Sequence, residues 1–184
     1  MRITLHYWMV IKMKLIRRIS DSDIFTGAKI LIETVSRYAS RGVLIDDQNN
    51  VAMMYMAQLN LYKLPGGGIE EGEPKEEAFL REIKEETGYS AEITHELGYI
   101  EEHKNSNEFM QLSYCYIAKA WGKASAVDLS ESELDLGMHV KWMTCDQALE
   151  VMSESLKICN DYSLKFMIIR DMTILESAID ILEK

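Results

Sequence analysis

Apolar residues in this chain come first in short runs of strand length and later at helical spacing. RGVLI (41–45) and VAMMYM (51–56) flank Asp46, Asp47, Gln48, Asn49 and Asn50, whose side chains favour turns, and so predict a hairpin. Met13 to Ile19 is β-prone, ILIETV (30–35) is another apolar run, and the polar turn Asp21 to Asp23 between them predicts an N-terminal hairpin. Strands are also expected around 92–102, around 109–120, where MQLSYCYIA alternates, and over MHVKWM (138–143). A helix is expected over 74–87, with Pro74 in its first turn, acidic residues near its start and Gly88 ending it. Two more helices are expected over 145–155 and 162–183, the second carrying Leu164, Met167, Ile168, Ile174, Leu175, Ala178 and Ile181 near helical spacing. Helices flanking a mixed, antiparallel-rich sheet make an α/β (α+β) fold.

No repeat, low-complexity tract or Pro/Gly-rich linker interrupts the chain, so a single domain over 1–184 is expected. It divides into an N-terminal extension (1–36), a core (37–155) and a C-terminal helix (156–184). With 184 residues, 47% of them hydrophobic, the chain can bury its own core. The apolar stretch MRITLHYWMVIKMKLIRR is broken by His6, Lys12 and Lys14, which suits neither a signal peptide nor a membrane span. Met13 would itself make a start, so residues 1–12 read as an extension or a misassigned start. Cys115, Cys145 and Cys159 are odd in number and lack CxxC spacing, which fits a reducing, cytoplasmic setting.

The net charge of −10 argues against a nucleic-acid polymer or an anionic membrane as partner, because both bind positive surface. An acidic protein that handles phosphates usually needs metal ions. At about 100° per residue, Glu82, Glu85 and Glu86 fall within an arc of about 100° beside the apolar Phe79, Leu80 and Ile83. Such crowding costs roughly 0.2–0.5 kcal/mol per like-charged pair, and hard divalent cations with oxygen ligands offset it. Gly66, Gly67 and Gly68 precede the helix and permit close backbone approach.

The stretch GGIEEGEPKEEAFLREIKEETGY, Gly67 to Tyr89, resembles the Nudix box. That box is Gly, five residues, Glu, seven residues, then Arg-Glu-aliphatic-x-Glu-Glu-x-Gly-aliphatic. Every specified polar or glycine position matches, a coincidence of about 10⁻⁶ over the chain; Tyr89 stands where the family prefers an aliphatic residue. The resemblance implies a Nudix α/β/α sandwich with an N-terminal strand extension and a C-terminal helix. It also implies Glu82, Glu85 and Glu86 as ligands of Mg²⁺ or Mn²⁺, with Glu85 and Glu86 catalytic. Arg81 would pair with Glu73 to orient the helix, Gly67 and Gly68 would bind substrate, and Gly88 would be structural. Glu133, in LSESELDLG, resembles the later acidic residue that many relatives carry as a general base; the alternatives are a box glutamate as base and Glu133 as a solvated loop acid. Glu101 and Glu102, beside His103, read as a solvated strand end, and His139 and Trp142 as packing residues.

The implied reaction is hydrolysis of a diphosphate linkage in a nucleotide-like small molecule. Pro65 and Pro74 are the only prolines, and Lys104 to Asn107 lack the features that follow the box in ADP-sugar and dinucleoside-polyphosphate hydrolases. An N-terminal strand pair and GYIEEH after the box resemble ADP-ribose-type enzymes, which puts ADP-ribose-like substrates narrowly ahead of nucleoside triphosphates, oxidised ones included. A Nudix-fold sensor without hydrolysis is the rival of another class. The last helix and the Met-rich strand VAMMYM offer surfaces for a homodimer.

Overall fold

The fold comes from a computed structural model that describes residues 13–122 and 124–183. Residues 1–12, read above as an extension, lie outside them. The strands are β1 (Leu15–Ser20), β2 (Arg37–Ile45), β3 (Val51–Met56), β4 (Leu61–Lys63), β5 (Gly66–Gly68), β6 (Ser90–Lys104), β7 (Phe109–Trp121) and β8 (Met138–Met143). The helices are α1 (Lys75–Thr87), α2 (Glu131–Asp135), α3 (Cys145–Ile158) and α4 (Tyr162–Leu182). All eight strands join one mixed sheet in the order β1-β6-β7-β2-β3-β4, with β5 against β2 and β8 against β3. The pairs β1/β6 and β2/β7 are parallel and the rest antiparallel.

Strand β2 explains the layering. Leu44 meets α1 through Phe79 and Ile83, while Val43 and Ile45 join Met152, Phe166, Ile174 and Leu175 of α3 and α4. A strand covered on both faces reads as a continuous apolar run, as VLI does. Helices on opposite faces make the α/β/α sandwich. The 46–50 turn is held by Asp46, whose Oδ1 accepts from the Gln48 and Asn50 N–H groups at 2.8 Å each.

The expected N-terminal hairpin does not form. β1 instead runs parallel to β6, with Leu15 to Ser20 opposite Tyr99 to His103, and no strand covers 30–35. Ile30 and Leu31 are exposed, and the Ile32 N–H donates to His103 Nδ1 at 2.9 Å. The long β6 leaves an edge beyond β7, and β1 takes it. In the Met-rich strand Met53 and Met54 are fully buried, as are Phe166, Ile168, Ile174 and Leu175 of α4. Among the described residues no helix is long and apolar enough to cross a membrane.

Candidate active site

Helix α1 is fixed at both ends by residues that suit those ends. Pro74 occupies the N-cap with φ −62°, and Gly88 ends the helix at φ 75°, where a Cβ would overlap the Ser125 carbonyl oxygen. Phe79 and Ile83 anchor the buried face, which sets Glu82 and Glu85 along the rim and turns Glu86 inward. Gly67 faces that rim; a Cβ there would collide with the Glu82 carboxylate, so the glycine makes room for it.

Arg81 ties the rim together. Its Nε and Nη2 donate to Glu73 at 2.8 and 3.1 Å, its Nη1 to Glu82 and Glu85 at 2.9 and 3.0 Å, and its Nη2 also to the Gly68 carbonyl at 3.0 Å. These bonds lower the Glu73 carboxyl and raise the Arg81 guanidinium above its usual value. Burial pushes the Glu82 carboxyl up against the opposing pull of Arg81. Glu86 is 2% exposed; it accepts from Lys63 Nζ at 2.5 Å and from the Gly66 N–H at 2.9 Å, yet burial still holds its carboxyl above the usual range.

A cleft of about 450 Å³ opens over this rim, lined by Arg37, Gly67, Gly68, Glu82, Glu85, Asp128 and Glu133 among others. The Asp128 N–H donates to the Glu85 carbonyl at 2.8 Å and pins its loop to α1. Residues 131–135, expected as loop, form the short helix α2, and Glu133 Oε2 caps it by accepting from Ser130 N–H and Oγ at 2.9 and 2.8 Å. Oxygen donors dominate the cleft, a set that suits a hard divalent cation. In this arrangement no three of the described acidic, histidine or cysteine side chains converge on one point, because Arg81 holds Glu82 and Glu85 while Lys63 holds Glu86. Glu82 and Glu86 are carboxylates withdrawn from water, with burial holding both carboxyls up, and oxygen donors of this kind are what a hard divalent ion takes.

A family model described as NUDIX domain matches residues 36–161. The chain belongs to the Nudix family. A Bacillus subtilis (strain 168) protein, named provisionally as an 8-oxo-dGTP diphosphatase, is 33% identical over 66 residues, covering 36% of this chain and 44% of that protein. The chain thus matches less than half the length of that curated relative. Two solved structures share the fold. A NUDIX hydrolase from Nitrosomonas europaea superposes with TM-score 0.53 at 20% identity over 73% of this chain and 86% of its own. A MutT NUDIX hydrolase from Burkholderia pseudomallei gives 0.50 at 23%, over 62% and 86%. Nudix hydrolases generally work with divalent metal ions.

In this Nudix chain Gly67, Gly68, Glu82, Glu85 and Glu133 share one cleft, Arg81 bonds Glu82 and Glu85 of its lining, Glu73 lines the neighbouring cleft, Glu86 is buried and Gly88 ends the helix. Sequence reasoning missed Arg37 and Asp128, which nothing local distinguishes from surface charge, and Lys63, which reaches Glu86 only through the fold. It also missed a second charged cluster. Glu102, read as part of a solvated strand end, is fully buried; it accepts from Arg170 Nη1 at 3.1 Å and Gln111 Nε2 at 2.9 Å. Arg170 Nε donates to Asp171 at 2.7 Å, and Asp171 Oδ2 accepts from the Leu64 N–H at 2.9 Å. The Arg-Asp pair inside the apolar run FMIIRDMTIL was the signal for it. Trp142 packs edge-on against Tyr89, ring centroids 5.4 Å apart.

Proposed function

We propose that this chain hydrolyses the diphosphate linkage of a nucleoside diphosphate joined to another moiety; a preference for ADP-ribose-like compounds rests on GYIEEH after the box alone, since the N-terminal strand pair does not form. The carrying observation is Arg81, whose guanidinium bonds Glu73, Glu82, Glu85 and the Gly68 carbonyl and so fixes two carboxylates of the cleft lining. A sensor that only bound nucleotide would have no need of that many organised carboxylates. Glu82, Glu85 and Glu86 would hold a divalent ion, Mg²⁺ or Mn²⁺, which when bound neutralises diphosphate charge and acidifies a water. Arg81 keeps the carboxylates in place, and Arg37 meets the phosphate from across Gly68. Gly67 and Gly68 let the chain come close to the phosphates. Water adds to one phosphorus, the bridging P–O bond breaks, and the water's proton passes to Glu85 or Glu133. Two phosphorylated fragments leave.

The provisional name of the Bacillus subtilis relative supports a second reading, hydrolysis of an oxidised nucleoside triphosphate. Purified protein with Mg²⁺ or Mn²⁺ against ADP-ribose, nucleotide sugars, dinucleoside polyphosphates and plain or oxidised triphosphates separates the two. ADP-ribose-like compounds cut fastest, and lost with Glu85→Gln, is the expected result. Triphosphates cut fastest would move the assignment to the second reading, and binding without cleavage would make the chain a sensor.

A further inference from the structure

A second cleft, of about 680 Å³, shares Arg37 with the carboxylate cleft and has Glu73 in its lining. Arg37 lies across Gly68, where a Cβ would stand 2.9 Å from its Nη2, and it lines both clefts. The volume falls within the range of small-molecule pockets, about 300–1,000 Å³. Two tyrosines line the second cleft: Tyr38, which is 49% exposed, and Tyr114, whose ring carries Lys75 Nζ 5.5 Å from its centre. Exposed aromatic surface inside a concavity is a stacking platform.

Charge decides what that platform takes. Lys75 is already paired with Glu76 Oε1 at 2.5 Å, and Glu70, Glu71 and Glu73 add carboxylates to the lining. A phosphate beyond Arg37 would meet those carboxylates, whereas an uncharged, hydroxyl-bearing aromatic group would meet acceptors for its hydroxyls.

We infer that the second cleft holds the nucleoside of the substrate, its base on the exposed Tyr38 ring and its ribose hydroxyls donating to Glu70 and Glu71, while the diphosphate passes Arg37 into the carboxylate cleft. This inference rests on the hydrolase reading for the position of the diphosphate, and it makes Tyr38 a specificity residue rather than a catalytic one.

Calorimetric titration of the full chain with ADP and, separately, with inorganic pyrophosphate in Mg²⁺ tests it. Tyr38→Ala should weaken ADP about tenfold and leave pyrophosphate unchanged, Tyr38→Phe should restore ADP binding, and Arg37→Ala should weaken both ligands. Unchanged ADP affinity in Tyr38→Ala, or an equal loss for pyrophosphate, overturns the inference. Turnover is scored separately on the same protein. Tyr38-dependent ADP binding without cleavage of any nucleotide would sink the hydrolase reading and keep the nucleoside cleft. Cleavage that is indifferent to Tyr38→Ala would keep the hydrolase and remove the cleft, and neither binding nor cleavage would remove both.

Discussion

Two buried glutamates in this protein sit in opposite electrostatic states. Glu102, beneath α4, and Glu86, at the inner edge of α1, are both taken out of water, and burial alone would raise both carboxyls. Around Glu102 stand Arg170, Lys104 and Arg41, and together they overcome burial and hold its carboxyl below the usual value. Around Glu86 stand one ammonium, Lys63, and one backbone N–H, and with Glu82 nearby they do not; its carboxyl stays raised. The α4 cluster is sealed and compensated by the protein's own cations, so it serves packing and position. The α1 cluster is open to a cleft and short of positive charge, and a divalent ion with a phosphate ligand would complete it.

The comparison can be broken most sharply at the open cluster. Glu85→Gln should cost roughly 10³-fold in kcat, as expected for an ion whose charge stabilisation is worth several kcal/mol, with the melting temperature unchanged. A variant with full turnover would remove Glu85 from the site.

At the sealed cluster the sign reverses: Glu102→Gln leaves Arg170 without its full partner in a dry interior. Losing half of a buried pair costs about 3–5 kcal/mol, so melting should fall by about 10 °C. A calorimetric scan checks this, and a melting point within a degree or two of wild type would contradict the sealed reading.

Acidification sharpens the same contrast. A carboxyl held low in the folded state contributes stability that is present above its unfolded value, 4.5 for glutamate, and is lost as pH falls through its folded value. Glu102 and Glu73 both behave this way. Urea midpoints should therefore drop below about pH 4.5, and Glu102→Gln should flatten that slope.

The smallest effect is at Glu86. A carboxyl held high in the fold costs stability once pH exceeds its unfolded value, so at neutral pH without metal Glu86→Gln removes part of that cost. A higher melting temperature is expected, and a fall like that of Glu102→Gln would show Glu86 to be fully compensated by Lys63.

How far the sequence could be read follows from which contacts are local. Helix α1 was legible because Pro74, Gly88 and the spacing of Phe79 and Ile83 all act within one element, and the 46–50 turn because Asp46 bonds its own neighbours. The placing of Glu82 and Glu85 along one rim of α1 was legible for the same reason, because carboxylates on one helical arc are a local pattern. The partner of β1 was not, since an apolar run reports burial and says nothing about which sheet edge it joins. Glu102 looked solvated because the helix that covers it lies some seventy positions further on, and only the Arg170–Asp171 pair within an apolar run hinted at a buried partner. Arg37 and Asp128 reach the cleft from a strand start and a loop whose local patterns carry no mark of it.

The central claim is that the α1 carboxylates are a cation site left under-compensated by the protein itself. Titration of metal-free protein with Mn²⁺, comparing wild type with the Glu82→Gln/Glu85→Gln/Glu86→Gln variant, tests it most directly. Saturable binding that raises the wild-type melting temperature and vanishes in the variant is the predicted result. Equal binding in both proteins would contradict it.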